Sequence, residues 1–471
     1  MIGGWLRSKK SVRRLMMSGN TFAKEAQTVW KVNDRNRKFR RVEEVSMPLF
    51  SILIPTRNRA DLLRYAIQSV LQQDCDDYEL IISDNDSSDD TRRTALQFNS
   101  PKIRYVNTGK YLTCNDSWDY AYTQAAGDYI LILGDDDYLV PGVLRRVKKV
   151  IQQTSALMVS WGYITYNDAT VNDVGSQNTI QTRKFTNMIL KVSTKEVLKT
   201  YFSFSNMDPK KPYPPYPSSV FISRHIATEI SNKYGVFYAP PLGDVTAIPR
   251  SLAYTDFLFI IDKPLVILGK GSRSMVQKFV YSTNDAWNEH VSELSFVIFK
   301  GRYLINLYTE SLLKVKHGDP ERFKDYDIGM EQYCNLYYQW MISASRFGYD
   351  INADLREFHE KLSTLPPDIQ TKAREYIRRS EYQRQEGWAI RFLRRSPLYK
   401  VAATRMLMSK LFTLYLKIRY GDRVGTSNIV SGNAVGVHDI ASCANHLVEI
   451  ARALKQPVDA WDYQKDPIWS E

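Results

Sequence analysis

Cysteine is scarce in this chain. Four occur in 471 residues, Cys75, Cys114, Cys334 and Cys443, and none belongs to a CxxC pair. Such wide spacing argues against a zinc cluster and a disulfide framework, and makes a reducing compartment the default. The six histidines include no HExxH and no other paired metal spacing. No apolar run approaches the roughly 18–20 residues that a spanning helix needs. The basic N-terminus is not followed by the apolar stretch of a signal peptide. No spanning helix and no leader are therefore expected. There is also no internal repeat and no low-complexity tract.

What remains is an ordinary globular composition, 44% hydrophobic and 24% charged, at a length that suggests two or three domains. Thirty tyrosines and nine tryptophans fit a protein that handles sugars or flat rings, and fit plain packing equally well. The net charge of +13 is unevenly placed. Residues 1–41 carry +10 and residues 391–423 carry +8, so the rest is slightly acidic. That distribution argues against a chain-wide nucleic-acid surface. It favours local contact with something anionic, such as a membrane leaflet.

Hydrophobic periodicity divides the chain into a basic arm (1–46), an α/β region (47–275) and a mainly helical C-terminal region (276–471), with the boundary at 275–290. In the α/β region, apolar runs at Leu49–Pro55, Tyr78–Ser83, Lys102–Asn107, Tyr129–Leu133 and Leu157–Asn167 read as strands, and the links between the first of them read as helices. Strand–helix alternation with short connections predicts βαβ units and a mostly parallel sheet. Ala169–Thr182 reads as a polar loop. Asp208–Ser219, with five prolines, reads as a long loop that is a lid, an acceptor rim or a spacer. Phe257–Leu268 reads as strand–turn–strand, followed by GKGSRS.

The densest signal is GDYILILGDDDYLVPG. Asp135, Asp136 and Asp137 follow a buried-strand run and one glycine. Carboxylates at the C-terminal end of a strand fall where open α/β sheets bind ligands. Three adjacent like charges are most easily tolerated when a cation neutralises them, and oxygen-only ligands suit Mg2+ or Mn2+. A solvated acidic turn is the plain alternative.

Three other elements lie in order around the triplet: PTRNR at Pro55–Arg59, an acid cluster from Asp84, and Asp244 in PPLGDVTA. Over Phe50 to Met275 this combination resembles the family 2 inverting glycosyltransferases. The resemblance implies a GT-A fold, Rossmann-like, with a nucleotide-diphospho-sugar donor, UDP-sugar foremost, and a divalent metal, Mn2+ or Mg2+. It also implies a glycan or lipid-linked acceptor and a place in surface-polysaccharide synthesis. It sets Pro55, Thr56 and Arg57 against the nucleoside, with a guanidinium at Arg57 where relatives carry an aromatic ring. Asp84, with Asp86 beside it, matches the acid that accepts from the base edge or ribose; a turn or N-cap acid is the alternative for both. Relatives carry an acid at the place of Gly134. Aligning the following DDYLVP puts Asp136 on the metal ligand, Asp137 on an auxiliary acid and Asp135 toward the ribose or diphosphate. Asp244 matches the general base, a role compatible with an N-cap aspartate. Lys270 or Arg273 stands where relatives reach the diphosphate, unless that stretch is a plain surface turn.

Ala389–Arg423 alternates apolar and cationic residues at three- and four-residue spacing. It reads as a membrane-surface helix or as a packed helix with a solvated basic face; the arm at 1–41 carries the same two readings. The expected location is cytoplasmic, with a peripheral seat on the membrane under the first reading. Two other functions compete. A nucleotidyltransferase would show a glycine-rich loop after the first strand, which PTRNR lacks. A membrane-binding adaptor with a dead transferase domain would not need Asp84, the triplet and Asp244 together.

Overall fold

The computed structural model describes residues 47–171, 176–205, 214–274, 294–345, 349–379 and 428–454. The basic arm at 1–46, the boundary expected at 275–290, the basic stretch 389–423 and part of the proline-rich loop lie outside these residues. Among the described residues, no helix is long and apolar enough to cross a membrane.

The first strands form where the apolar runs predict. β1 (Phe50–Thr56), β2 (Tyr78–Asp84), β3 (Ile103–Asn107) and β4 (Tyr129–Ile132) form a parallel block in the order β3-β2-β1-β4. β1, β2 and β4 are almost wholly buried because both faces are covered, whereas β3, at the edge, exposes Arg104 and Asn107. Phe50, Ile52, Ile54, Leu80, Ile82 and Leu131 point into one core, with Leu63, Ile67 and Val70 of α1 (Ala60–Leu71). Leu53, Ile81, Ile130 and Ile132 point into a second core on the opposite face. Helices α2 (Thr91–Leu96) and α3 (Cys114–Thr123) link the strands, and α4 (Val143–Thr154) follows β5 (Tyr138–Leu139). The chain moves outward from β1 to β2 and β3, then returns to the other side of β1 as β4. That reversal opens a crevice beyond the carboxyl ends of β1 and β4, the usual ligand position in open α/β sheets.

The other half of the sheet is mixed. β6 (Met158–Asn167) runs parallel to β10 (Phe257–Lys270). It runs antiparallel to β7 (Thr179–Thr182) and β9 (Val220–Ser223). β8 (Ile189–Ser193) and β5 are antiparallel neighbours of β10. Three local expectations change here. The end of the expected polar loop is a strand, β7, because Ile180 is buried against β6. The expected strand–turn–strand is one strand, β10, whose register slips between Ile261, Pro264 and Val266. The Lys263–Pro264 signal is thus a bulge and not a reversal, a place where a residue without an N–H is accommodated. Strands do not stop in the helical region either: β11 (Asn428–Ser431) pairs with β7.

The helical region shares the second core. α5 (Thr194–Phe202), α6 (Arg224–Tyr234) and α7 (Gly243–Leu252) cover that face of the sheet. α8 (Leu304–Gly318), α9 (Pro320–Phe323), α10 (Met330–Ser345) and α11 (Asn352–Thr364) pack onto them through Leu312, Val315, Phe323, Tyr333, Tyr337 and Phe358. Two short helices, α12 (Ile440–Asn445) and α13 (Leu447–Ala453), pack Ile440, Cys443, Leu447 and Ile450 against Tyr138, Ile164 and Ile267.

Candidate active site

The three aspartates occupy the tight turn between β4 and β5, closed by Asp137 N–H donating to the Gly134 carbonyl at 3.1 Å. Their carboxylates have different surroundings. Asp135 is 5% exposed. It accepts from Thr56 Oγ1 at 2.8 Å and pairs with Arg59 Nη1 at 2.7 Å. Asp137 is also buried and accepts from Ser218 Oγ and from the Gly269 amide at 3.0 Å. Asp136 forms one ion pair among the described residues, with the flank of Arg59 at 3.3 Å, and keeps 20% of its side chain open. Burial first, and then the neighbouring Asp137, push the Asp136 carboxyl well above the usual carboxylate range, against the pull of Arg59. Burial likewise raises Asp137, opposed by its bonds from Ser218 and Gly269.

Gly134, the departure from the family pattern, has a steric reason. A Cβ there would sit 2.7 Å from Asp137 Oδ2 and 3.0 Å from Asp136 Oδ1, so a side chain at this position requires those two carboxylates to shift. Gly269 is tighter still: its Cβ would lie 1.9 Å from the Asp136 carbonyl oxygen, because β10 passes directly against the turn.

The PTRNR loop is locked to the loop after β2. Asn58 Oδ1 accepts from the Ser88 amide at 2.8 Å, the Asn58 amide donates to Ser87 Oγ, and Asp89 accepts from the first amide of α1. Pro55 fits inside β1 because pairing to β4 ends at Leu53 and Ile132, so its missing N–H breaks no ladder bond on that side. Arg57 is exposed and stacks over the ring of Tyr111 at 4.0 Å. The aromatic ring absent at position 57 is thus present beside it, from the loop after β3. Asp84, 1% exposed at the end of β2, accepts from Tyr105 at 2.5 Å and from the Ser87 amide at 2.9 Å. Asp86 sits apart, exposed on the turn with a left-handed φ of 57°. It makes none of the contacts that join Asp84 to its loop.

Asp244 lies in the first turn of α7. Asn115, at the start of α3, fixes that end by accepting from the Gly243 amide at 2.7 Å and donating to the Pro241 carbonyl. Burial raises the Asp244 carboxyl, against the favourable amides of Val245 and of Asp244 itself. Tyr216 connects the two acidic positions. Burial, and after it the charges of Asp137, Asp244 and Asp136, push its phenol up. The charges of the triplet and of Asp244 thus both reach the Tyr216 phenol.

Of the two cations at the end of β10, Arg273 pairs with Asp61 at 2.5 Å, and its carbonyl accepts from Arg59. Lys270 has no ion pair or side-chain hydrogen bond among the described residues, and burial alone pushes its ammonium down. The structure thus brings Thr56 and Arg59 together with Asp135 and Asp136, and Ser218 with Asp137, sets Asp244 in the first turn of α7, and leaves Asp86 exposed on its own turn. Sequence reasoning did not single out Arg59, Ser218, Tyr105, Tyr111 or Asn115 for these positions. Arg59 had a readable signal, a cation inside the loop expected to face three carboxylates. Ser218 had none.

The sequence model described as glycosyl transferase family 2 matches residues 51–208. This segment is a family 2 glycosyltransferase domain. Over 101 residues the chain is 40% identical to the GalNAc(5)-diNAcBac-PP-undecaprenol beta-1,3-glucosyltransferase of Campylobacter jejuni, covering 21% of this chain and 33% of that protein. Over 102 residues it is 35% identical to a PGL/p-HBAD biosynthesis glycosyltransferase of Mycobacterium bovis, covering 20% and 38%. The chain thus spans about a third of the length of the curated relatives it matches. Among solved structures, S. aureus TarS 1-349 in complex with UDP-GlcNAc aligns over 72% of this chain and 92% of its own, at 16% identity and a TM-score of 0.40. The triplet and the PTRNR loop fall inside the family 2 segment, whereas Asp244 and Lys270 fall beyond it.

Proposed function

We propose that this chain transfers a sugar from a nucleotide-diphospho-sugar, a UDP-sugar foremost, to a hydroxyl of a glycan or lipid-linked acceptor, with inversion at the anomeric carbon. The observation that carries the reading is the under-neutralised carboxylate of Asp136 in the turn after β4, with one guanidinium shared at 3.3 Å and part of its side chain open. The donor set suits a hard cation. No group of three or more His, Cys, Asp or Glu able to hold a metal exists among the described residues. Mg2+ and Mn2+ are held in this manner, by one or two carboxylates with waters and substrate phosphates completing the shell. Asp136, with Asp137 behind it, would hold the ion; when bound, it supplies Lewis-acid stabilisation of the leaving diphosphate.

The chain's own groups have separable tasks. Asp84, oriented by Tyr105 and Ser87, accepts from the base or ribose, and the Arg57–Tyr111 stack offers a flat face to the base. Asp135 acts through its partners, holding Arg59 and Thr56 beneath the diphosphate. Lys270 brings an uncompensated positive charge to the phosphates. The acceptor oxygen attacks the anomeric carbon and the bond to the phosphate oxygen breaks. That electron pair stays on the phosphate, and the hydroxyl proton passes to Asp244. The two basic segments would suit a lipid-linked acceptor at an anionic membrane surface. A thermal-shift screen of nucleotide-sugars with and without Mn2+ tests the donor reading. Metal-dependent stabilisation by at least one of them is expected, and a flat response across the screen rejects it.

A further inference from the structure

Burying a cation is costly unless an anion or a set of acceptors matches it. Arg250, in the last turn of α7, is 6% exposed, and its Nε and Nη1 have no hydrogen-bond partner among the described residues. Its guanidinium carbon stacks over the ring of Tyr234 of α6, 4.1 Å from the centroid. The neighbouring carboxylate is already engaged. Asp319, between α8 and α9, accepts from Tyr234 at 2.8 Å and pairs through the same oxygen with Lys233 at 2.5 Å and Arg322 at 3.2 Å. Burial pushes the Arg250 guanidinium down, and the pull of Asp319 against it is the smallest of the influences on it. Cations from α6, α7 and α9 thus meet one carboxylate. They are also reachable. Lys233 keeps 43% of its side chain open and Arg322 34%. Arg250 Nη2 lies 3.9 Å from the point where a Cβ on Gly318 would stand, and Tyr234 Cε1 lies 4.0 Å from it. Gly318 is exposed at the end of α8, so the missing side chain leaves a gap over this edge of the guanidinium.

We infer that this corner of the helical region binds a phosphate group, seated at the Gly318 gap among Arg250, Lys233 and Arg322. Three cations against Asp319 leave two positive charges. A phosphate group carries about −1.5 to −2 near neutral pH and matches them, whereas a carboxylate leaves one unmatched. Its several oxygens also suit donors that arrive from three helices. Arg250 lies about 9 Å along α7 from Asp244 and is turned roughly 120° away from it, so the site stands apart from the transfer chemistry. The test is calorimetric titration of the full chain at constant ionic strength with EDTA present. Inorganic phosphate and methyl phosphate are titrated side by side, with acetate as the control. Binding of either phosphate supports the site, and the tighter of the two tells whether it takes free phosphate or an esterified group. Arg250→Gln should weaken that binding about ten-fold. Gly318→Leu, which covers the gap without changing a charge, should do the same, while Gly318→Ala should bind as the parent does. UDP affinity with Mn2+ should stay unchanged in all three. Melting curves give a second readout. Without phosphate, Arg250→Gln should melt no lower than the parent, because an unmatched buried cation is gone; in phosphate the parent should gain and the order reverse. A chain that binds neither phosphate, acetate binding as tightly, or an Arg250→Gln variant that binds as the parent does would each overturn the site. So would loss of phosphate binding on Lys270→Gln in place of Arg250→Gln, which moves the anion to the end of β10. An Arg250→Gln variant that melts below the parent in both conditions would make Arg250 part of the architecture and overturn the site as well.

Discussion

The carboxyl ends of the parallel strands and the helical region both bury acids, and they do so in opposite ways. In α8, Glu310 is fully enclosed and accepts from three consecutive amides, Ser295 at 2.9 Å, Phe296 at 2.9 Å and Val297 at 3.2 Å. Its charge is matched inside the fold, and it anchors the segment that enters the helices. Asp136 sits in a turn beside two other carboxylates, with one shared guanidinium at 3.3 Å and an open side. A buried anion with a full set of donors belongs to the architecture. One with an incomplete set is a site awaiting a partner. The difference separates structural from functional acids without reference to any relative.

Substitutions can break this comparison, and the largest effect should come at Asp244. Asp244→Ala should leave donor binding intact and lower kcat by roughly 10²–10⁴-fold, the range for a lost general base. A variant that turns over at the parent rate in a radiolabelled transfer assay would sink the assignment. Asp136→Ala should cost roughly 10²–10³-fold in kcat and remove the Mn2+-dependent part of the thermal shift given by a nucleotide-sugar. EDTA treatment of the parent should reproduce that second loss. If Asp137→Ala abolishes the metal response and Asp136→Ala does not, the two carboxylates have exchanged roles.

Glu310 should respond in the other currency. Glu310→Ala leaves three amides without their acceptor and should destabilise the fold by about 3 kcal/mol, with little change in UDP affinity. Denaturant unfolding of the parent and the variant measures this directly. A variant of parental stability would show that solvent reaches those amides and that the contrast with Asp136 is false.

Much of the parallel block was readable because its physics is local. β4 is an uninterrupted apolar run, β1 and β2 are broken inside only by Ser51, Glu79 and Ser83, and α1 repeats its apolar face at three- and four-residue intervals. The carboxylates were readable because they follow directly on the strand runs. The partners were not. Ser218 reaches Asp137 from 81 positions away, and Asn115 fixes Gly243 from 128 positions away; nothing local marks either residue. β11 was missed for the same reason, since a four-residue strand is defined by its pairing with β7 and not by its own sequence. At Lys263–Pro264 the local signal was real, but tertiary pairing with β6 on both sides made a bulge of it. Gly134 stands where relatives carry an acid, a departure that does not remove the site. A Cβ at that position would press on the carboxylates of Asp136 and Asp137.

The smallest effect tests whether Asp244 carries the strain expected of a functional acid. Burial holds its folded pKa above the ordinary value near 4. A carboxyl raised in this way favours the fold at pH below its unfolded pKa, where it is protonated in both states. That contribution is lost as pH rises through the folded pKa, where the folded state must accept a charge it solvates poorly. Asp244→Asn removes the ionisation and keeps the shape. Its melting temperature should therefore match the parent below about pH 4 and exceed it by roughly 2 °C near neutrality. The same shift should place the acidic limb of the parental kcat profile above the ordinary aspartate range, because the base works only when deprotonated. Parallel melting curves across the pH range, with no gap opening toward neutrality, would show that Asp244 is as well solvated in the fold as outside it, and would move it to the structural side of the comparison, with Glu310.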